Sequence, residues 1–145
     1  MSDVGPEQPE YPRSERSVEL RVAPRLENLA VVRTLVGAVG TFEDLDLDTV
    51  ADLRLAIDEL CTQLIRCAAP DSLLIIVIDP GDDDVVVQVS ADCETVEALS
   101  PGGFSWFVLT SLADDVQTSP DRTTPDGRGG MFAVTLRSRR AGAKR

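Results

Sequence analysis

The stretch AIDELCTQLIR, residues 56–66, places Glu59 and Gln63 four positions apart. On a helix that spacing stacks the two side chains on one face, a turn apart. The pair combines a carboxylate, which accepts hydrogen bonds and protons, with a carboxamide, which both donates and accepts. Three readings fit: a working site, the worn remnant of one, or the solvated side of an amphipathic helix. Asp52 and Arg66 share that side and read as plain solvated surface. Other chemistries are excluded more firmly. The chain has no histidine, and its three cysteines, Cys61, Cys67 and Cys93, follow no CxxC spacing. Zinc sites and histidine-based triads are therefore not expected.

The helix that must carry Glu59 and Gln63 is predicted from Asp46–Thr49 to about Ala68. Acidic residues favour its start, and Val50, Leu53, Ile57, Leu60 and Leu64 form its apolar stripe. A strand precedes it at SVELRVA, where Val18, Leu20 and Val22 alternate with polar residues. A first helix then begins at Pro24 and ends at Gly40. Beyond the second helix, SLLIIVI (72–78) and DVVVQVS (84–90) read as strands joined through a DPGDD turn. GGFSWFVLTSLADDV (102–116) reads as a glycine-led helix feeding a short strand, and MFAVTL (131–136) as the last strand. The order β-α-α-β-β-α-β-β implies an α/β protein, more narrowly an α+β two-layer sandwich with three helices on one face of the sheet. The run LLIIVI suggests a strand buried on both faces, so the face without helices wants a cover. A homodimer is the simplest one. Trp106 and Phe107 are expected in the core, Cys61 and Cys67 as buried fillers, and Cys93 at an exposed strand end.

The chain of 145 residues is one domain's worth, and its net charge of −11 argues against nucleic acid or an anionic membrane as partner. That charge suits a basic protein partner. Residues 1–16 read as a disordered tail, 17–137 as the folded domain and 138–145 as a short basic tail. No stretch has the length of a membrane span or the pattern of a secretion signal. A cytoplasmic protein with reduced thiols is expected.

With its elements in this order, the sequence resembles the Bergerat (GHKL) ATP-binding fold, whose sheet is mixed but mainly antiparallel. Within that fold it is most similar to the RsbW/SpoIIAB-type anti-sigma factors, particularly the actinobacterial branch that partners sigma-F-type factors. The resemblance covers about residues 17–137 and rests on Glu59 with its amide partner, the hairpin, Asp92 at a strand end and the glycine-led helix. It implies that Glu59 activates a nucleophile and that the amide at position 63 holds Mg²⁺ on the phosphates of ATP or GTP. It further implies that Asp92 accepts from the base and that the backbone at Gly102 and Gly103 cradles phosphate. Arg33 matches the arginine with which this branch grips its sigma factor.

The chain departs from the family pattern at several points. Gln63 stands where the family has asparagine, one methylene shorter. Cys93, Glu94 and Thr95 replace a glycine-bearing run, and only nine residues separate Asp92 from Gly102, too few for the family's ATP lid. No threonine marks the last strand's contact with the base, where Phe132 and Ala133 stand instead. The expected function is therefore sequestration of an alternative sigma factor, released by an anti-anti-sigma protein, with a degenerate nucleotide site. The alternative is an active ATP-dependent serine/threonine kinase acting on that antagonist. A plain interaction or dimerisation domain is a third reading.

Overall fold

A computed structural model describes residues 13–94, 102–123 and 130–142. Its elements are β1 (Val18–Val22), a 3-10 turn (Leu26–Asn28), α1 (Leu29–Phe42), α2 (Leu47–Cys67), β2 (Leu74–Pro80), β3 (Asp84–Cys93), α3 (Phe104–Leu112), β4 (Asp115–Thr123) and β5 (Gly130–Arg139). The order is the expected one. The strands form one five-stranded sheet in the order β1-β2-β3-β5-β4. Each neighbouring pair is antiparallel, so the parallel element of a mixed sheet is not present among the described strands.

Strand register separates the two faces. Val18, Ile78, Val87 and Leu136 lie in one cross-strand row, and Leu20, Ile76, Val89 and Val134 in the next. These rows pack with Val32 and Val36 of α1 and with Leu53, Ile57, Leu60 and Leu64 of α2 in one core. Leu60 and Leu64 are fully buried, so truncating either to alanine would cost about 2–5 kcal/mol. The opposite rows hold Ile75 with Ser90, and Val77 with Gln88. Ile75 and Val77 are only 5% and 1% exposed in the single chain. The apolar run of β2 is thus buried on both faces, as its composition suggests.

Local rules explain the helix ends. Asp46 caps α2: its carboxylate accepts from the Thr49 backbone N–H at 3.1 Å and from the Thr49 hydroxyl. The Thr49 hydroxyl, then its N–H, holds the Asp46 carboxyl below its ordinary pKa. The first helix differs from expectation at both ends. After Pro24 the chain stays extended at Arg25 and makes a 3-10 turn before α1 begins. At the other end α1 runs through Gly40 to Phe42. Gly40 serves close packing, because a Cβ there would lie 2.6 Å from Val50 Cγ2 on α2. The reversal falls to Asp44, whose φ of 57° is left-handed.

Contacts at the described ends reach beyond the 17–137 limits. Ser14 donates to Asp79 Oδ1 from its N–H at 2.8 Å and from its hydroxyl at 2.7 Å. Arg140 Nη2 donates to Glu43 Oε1 at 2.6 Å, and its Nε donates to the Gly81 carbonyl at 2.9 Å. Residues 1–12 and 143–145 of the expected tails lie outside the described residues.

The cysteines also depart from expectation. Cys93 is 1% exposed and is disulfide-bonded to Cys67, with their Cα atoms 5.0 Å apart. The bond joins the last residue of α2 to the last residue of β3. Backbone bonds flank it, from Ala69 N–H to the Asp92 carbonyl at 2.7 Å and from Glu94 N–H to the Cys67 carbonyl at 2.8 Å. Spacing along the chain gives no hint of a pair brought together by a helix end docking on a strand end. Cys61 is the buried filler expected of it, and burial pushes its thiol pKa up to about 12.

Candidate functional site

Glu59 and Gln63 lie on α2 as the helical period requires, and Gln63 Nε2 donates to Glu59 Oε2 at 3.1 Å. The same carboxylate oxygen accepts from Ser105 Oγ at 2.5 Å. Ser105 stands in the first turn of α3, two residues after Gly103, which is the N-cap and offers no side-chain cap. The backbone N–H groups of that turn are thus left to a partner from outside the helix, and such groups favour an anion. Carboxylate, carboxamide, hydroxyl and helix N-terminus converge where α2 and α3 cross. Gly102 precedes them with a φ of 90°, a left-handed conformation suited to glycine.

A cleft of about 460 Å³ opens beside this cluster. Leu55, Asp58 and Glu59 of α2 line one wall, and Phe104, Phe107 and Val108 of α3 are part of the other. Phe104 and Phe107 are 78% and 66% exposed, so Phe107 is a surface residue and not the core residue expected. Trp106 is half-buried.

Asp92 is not part of this cluster. Along β3, Val85, Val87, Val89, Ala91 and Cys93 belong to the core beneath the helices, whereas Asp92 is exposed. Strand alternation directs its side chain to the opposite face of the sheet. The position on the helix side is held by Ala91, which has no polar atom on its side chain. Thr95 and the rest of the 95–101 connection lie outside the described residues.

For a nucleotide, the phosphate end fits and the base end lacks its expected acceptor. The α3 N-terminus would supply donors to phosphate, and the Gln63 carbonyl oxygen would be the protein ligand for Mg²⁺. No group of three His, Cys, Asp or Glu able to hold a metal occurs among the described residues. Mg²⁺ held here would therefore draw most of its oxygens from phosphate and water.

Arg33, on α1, makes a two-pronged bond to Asp58 of α2, Nε to Oδ1 at 2.8 Å and Nη2 to Oδ2 at 3.0 Å. The Asp58 hydrogen bond, then its charge, raises the Arg33 pKa further and keeps the guanidinium protonated. Both side chains stay partly open to solvent, Arg33 at 49% and Asp58 at 31%. A docking partner can therefore reach the pair. Asp58 and Ser105 were not singled out in the sequence. Ser105 carries one faint signal, a small polar residue in the first turn of an otherwise apolar helix.

No protein-family model matches the chain. Comparison with known proteins is more direct. The anti-sigma-F factor RsbW of Mycobacterium tuberculosis is 62% identical over 133 residues, covering 92% of this chain and 79% of that protein. The chain belongs to the RsbW family of anti-sigma factors. The serine-protein kinase RsbW of Bacillus subtilis is similar at greater distance, 26% identical over 121 residues, covering 69% of this chain and 76% of that protein. The relatives thus include both a named anti-sigma factor and a named kinase. Among the described residues no helix is long and apolar enough to cross a membrane.

Proposed function

We propose that this protein binds and sequesters a sigma-F-type alternative sigma factor and yields it to a competing anti-anti-sigma protein. The observation that carries this reading is the 62% identity with an anti-sigma-F factor along nearly the whole chain. The net charge of −11 supports it, since an acidic domain is steered towards basic surfaces that a sigma factor keeps for polymerase and DNA. The exposed Arg33–Asp58 pair is the proposed polar contact. Asp58 can release Arg33 to a partner carboxylate while its own charge turns to a partner cation.

ATP or GTP with Mg²⁺ enters this proposal as a weakly held effector. Gly102, Gly103 and Gln63 serve its phosphate end, and Asp92, on the other face of the sheet, does not serve its base. The homodimer is proposed on the sequence argument alone, and sedimentation distinguishes a 15.6 kDa chain from twice that mass. The cytoplasm is the proposed location.

A second reading, a serine/threonine kinase acting on the antagonist, is favoured by one contact. The Ser105 hydroxyl donates to Glu59 Oε2, and that contact supports a carboxylate able to take a proton from a serine. The test is gel filtration of the full chain with a sigma-F-type factor, repeated with Arg33→Ala and Glu59→Ala. The proposal expects a stable complex, weakened at least tenfold by R33A and unaffected by E59A. A chain that forms no complex with such a sigma factor overturns it.

A further inference from the structure

Glu59 is already engaged from within the chain. One of its oxygens, Oε2, takes a hydroxyl from Ser105 at 2.5 Å and an amide from Gln63 at 3.1 Å. The two donors differ in origin. Gln63 stands one turn along the same helix and travels with Glu59, whereas Ser105 arrives from α3. A carboxylate that serves as base must present an oxygen to the hydroxyl or water that loses its proton. Here a serine of the chain itself stands on that oxygen, as an acceptor serine would.

We propose that Ser105 is a positioning residue that keeps Glu59 silent, an internal stand-in for the acceptor hydroxyl. The inference rests on the reading of Glu59 as the family's base and deepens it. The site is then held off by a contact, as well as worn by its departures from the family pattern. The contact also couples the two walls of the cleft. While Ser105 holds Glu59, the α3 N-terminus is pinned against α2, and anything that draws α3 outward frees the carboxylate. Phe104 and Phe107 flank Ser105 and are exposed, so they are where a ligand in the cleft would gain purchase on α3.

In hydrolysis of a nucleoside triphosphate a water oxygen bonds to the γ-phosphorus as the bond to the bridging oxygen breaks. The electron pair leaves on the diphosphate, and the water proton passes to the base. With Ser105 and Gln63 on Oε2, that oxygen is withheld from the water. Removing the hydroxyl should therefore raise turnover without changing how nucleotide is held.

The experiment compares wild type, Ser105→Ala, Ser105→Thr and the double variant S105A/E59Q with Mg²⁺-ATP and Mg²⁺-GTP as probes. The expected result is a kcat for hydrolysis at least tenfold higher in S105A, with KM within about twofold. S105T, which keeps a hydroxyl, rises far less than S105A, and the double variant falls to background. A second readout needs no nucleotide: the carboxyl carbon resonance of Glu59 moves in S105A and stays in place in S105T. Thermal unfolding confirms that each variant is folded. A folded S105A that binds nucleotide yet turns over no faster overturns the proposal. So does phosphate found on Ser105 by mass spectrometry, because the hydroxyl would then be a substrate and not a block. If neither wild type nor S105A binds nucleotide, the reading of the site as a nucleotide site fails, and the proposal with it.

Discussion

Asp92 and Cys93, adjacent in sequence, point to opposite faces of the sheet: Cys93 is bonded to Cys67 beneath the helices, and Asp92 is exposed on the other side. The consequence is direct. Asp92→Ala should leave the affinity for Mg²⁺-ATP or Mg²⁺-GTP within about twofold of wild type, as read by fluorescence of a labelled nucleotide. A tenfold loss would mean that Asp92 turns into the cleft when ligand binds.

The disulfide closes a span of 26 residues, from the end of α2 to the end of β3. In the chain-entropy view a loop of that length is worth about 3.5 kcal/mol. Reduction with a dithiol, or the variant Cys67→Ser, should lower the melting temperature by several degrees. Alkylation after native reduction should label Cys67 and Cys93 and spare Cys61, whose burial holds its thiol near a pKa of about 12. Full labelling without prior reduction would contradict the pairing.

Glu43 is held by two arginines, Arg16 Nε at 3.0 Å and Arg140 Nη2 at 2.6 Å, with its side chain only 7% exposed. Burial pushes its pKa up, but the hydrogen bonds and charges of Arg140 and Arg16 outweigh that push and leave it below the ordinary value. A depressed folded pKa means stability that is present above the unfolded pKa and lost as pH falls through the folded one. Glu43→Gln should therefore destabilise by about 2 kcal/mol near neutral pH, the scale of a hydrogen bond to a charged group. The difference from wild type should shrink as pH drops below the usual glutamate range. Denaturant unfolding at neutral and acid pH measures both.

Gly40→Ala should cost about 1–3 kcal/mol through overpacking, because its Cβ meets Val50. The double variant G40A/V50A should recover part of that loss. Equal losses in the single and double variants would show that Val50 is not the obstacle.

Most of the fold was legible because apolar periodicity is a local signal. The stripe Leu53, Ile57, Leu60, Leu64 and the alternation of Val85, Val87 and Val89 already fix which faces are buried. That same alternation, continued two residues, assigns Ala91 to the helix side and Asp92 to the other. The place of Asp92 at a strand end fits the motif position, but the parity of β3 does not. What the sequence could not show depends on how elements cross. Ser105 meets Glu59 across 46 positions, and Cys67 meets Cys93 across 26, with no spacing rule to announce either. A glycine near a helix end reads equally as a cap or a close approach, and only Val50, on the next helix, makes Gly40 the latter.

The most direct test of the central claim is a calorimetric titration of a sigma-F-type factor into this protein, with and without Mg²⁺-ATP. The account predicts binding whose dissociation constant stays within about threefold in the two conditions and survives Glu59→Ala. Binding that appears only with nucleotide, or that disappears in E59A, would contradict it, and would make the site around Glu59 the engine of the protein's function.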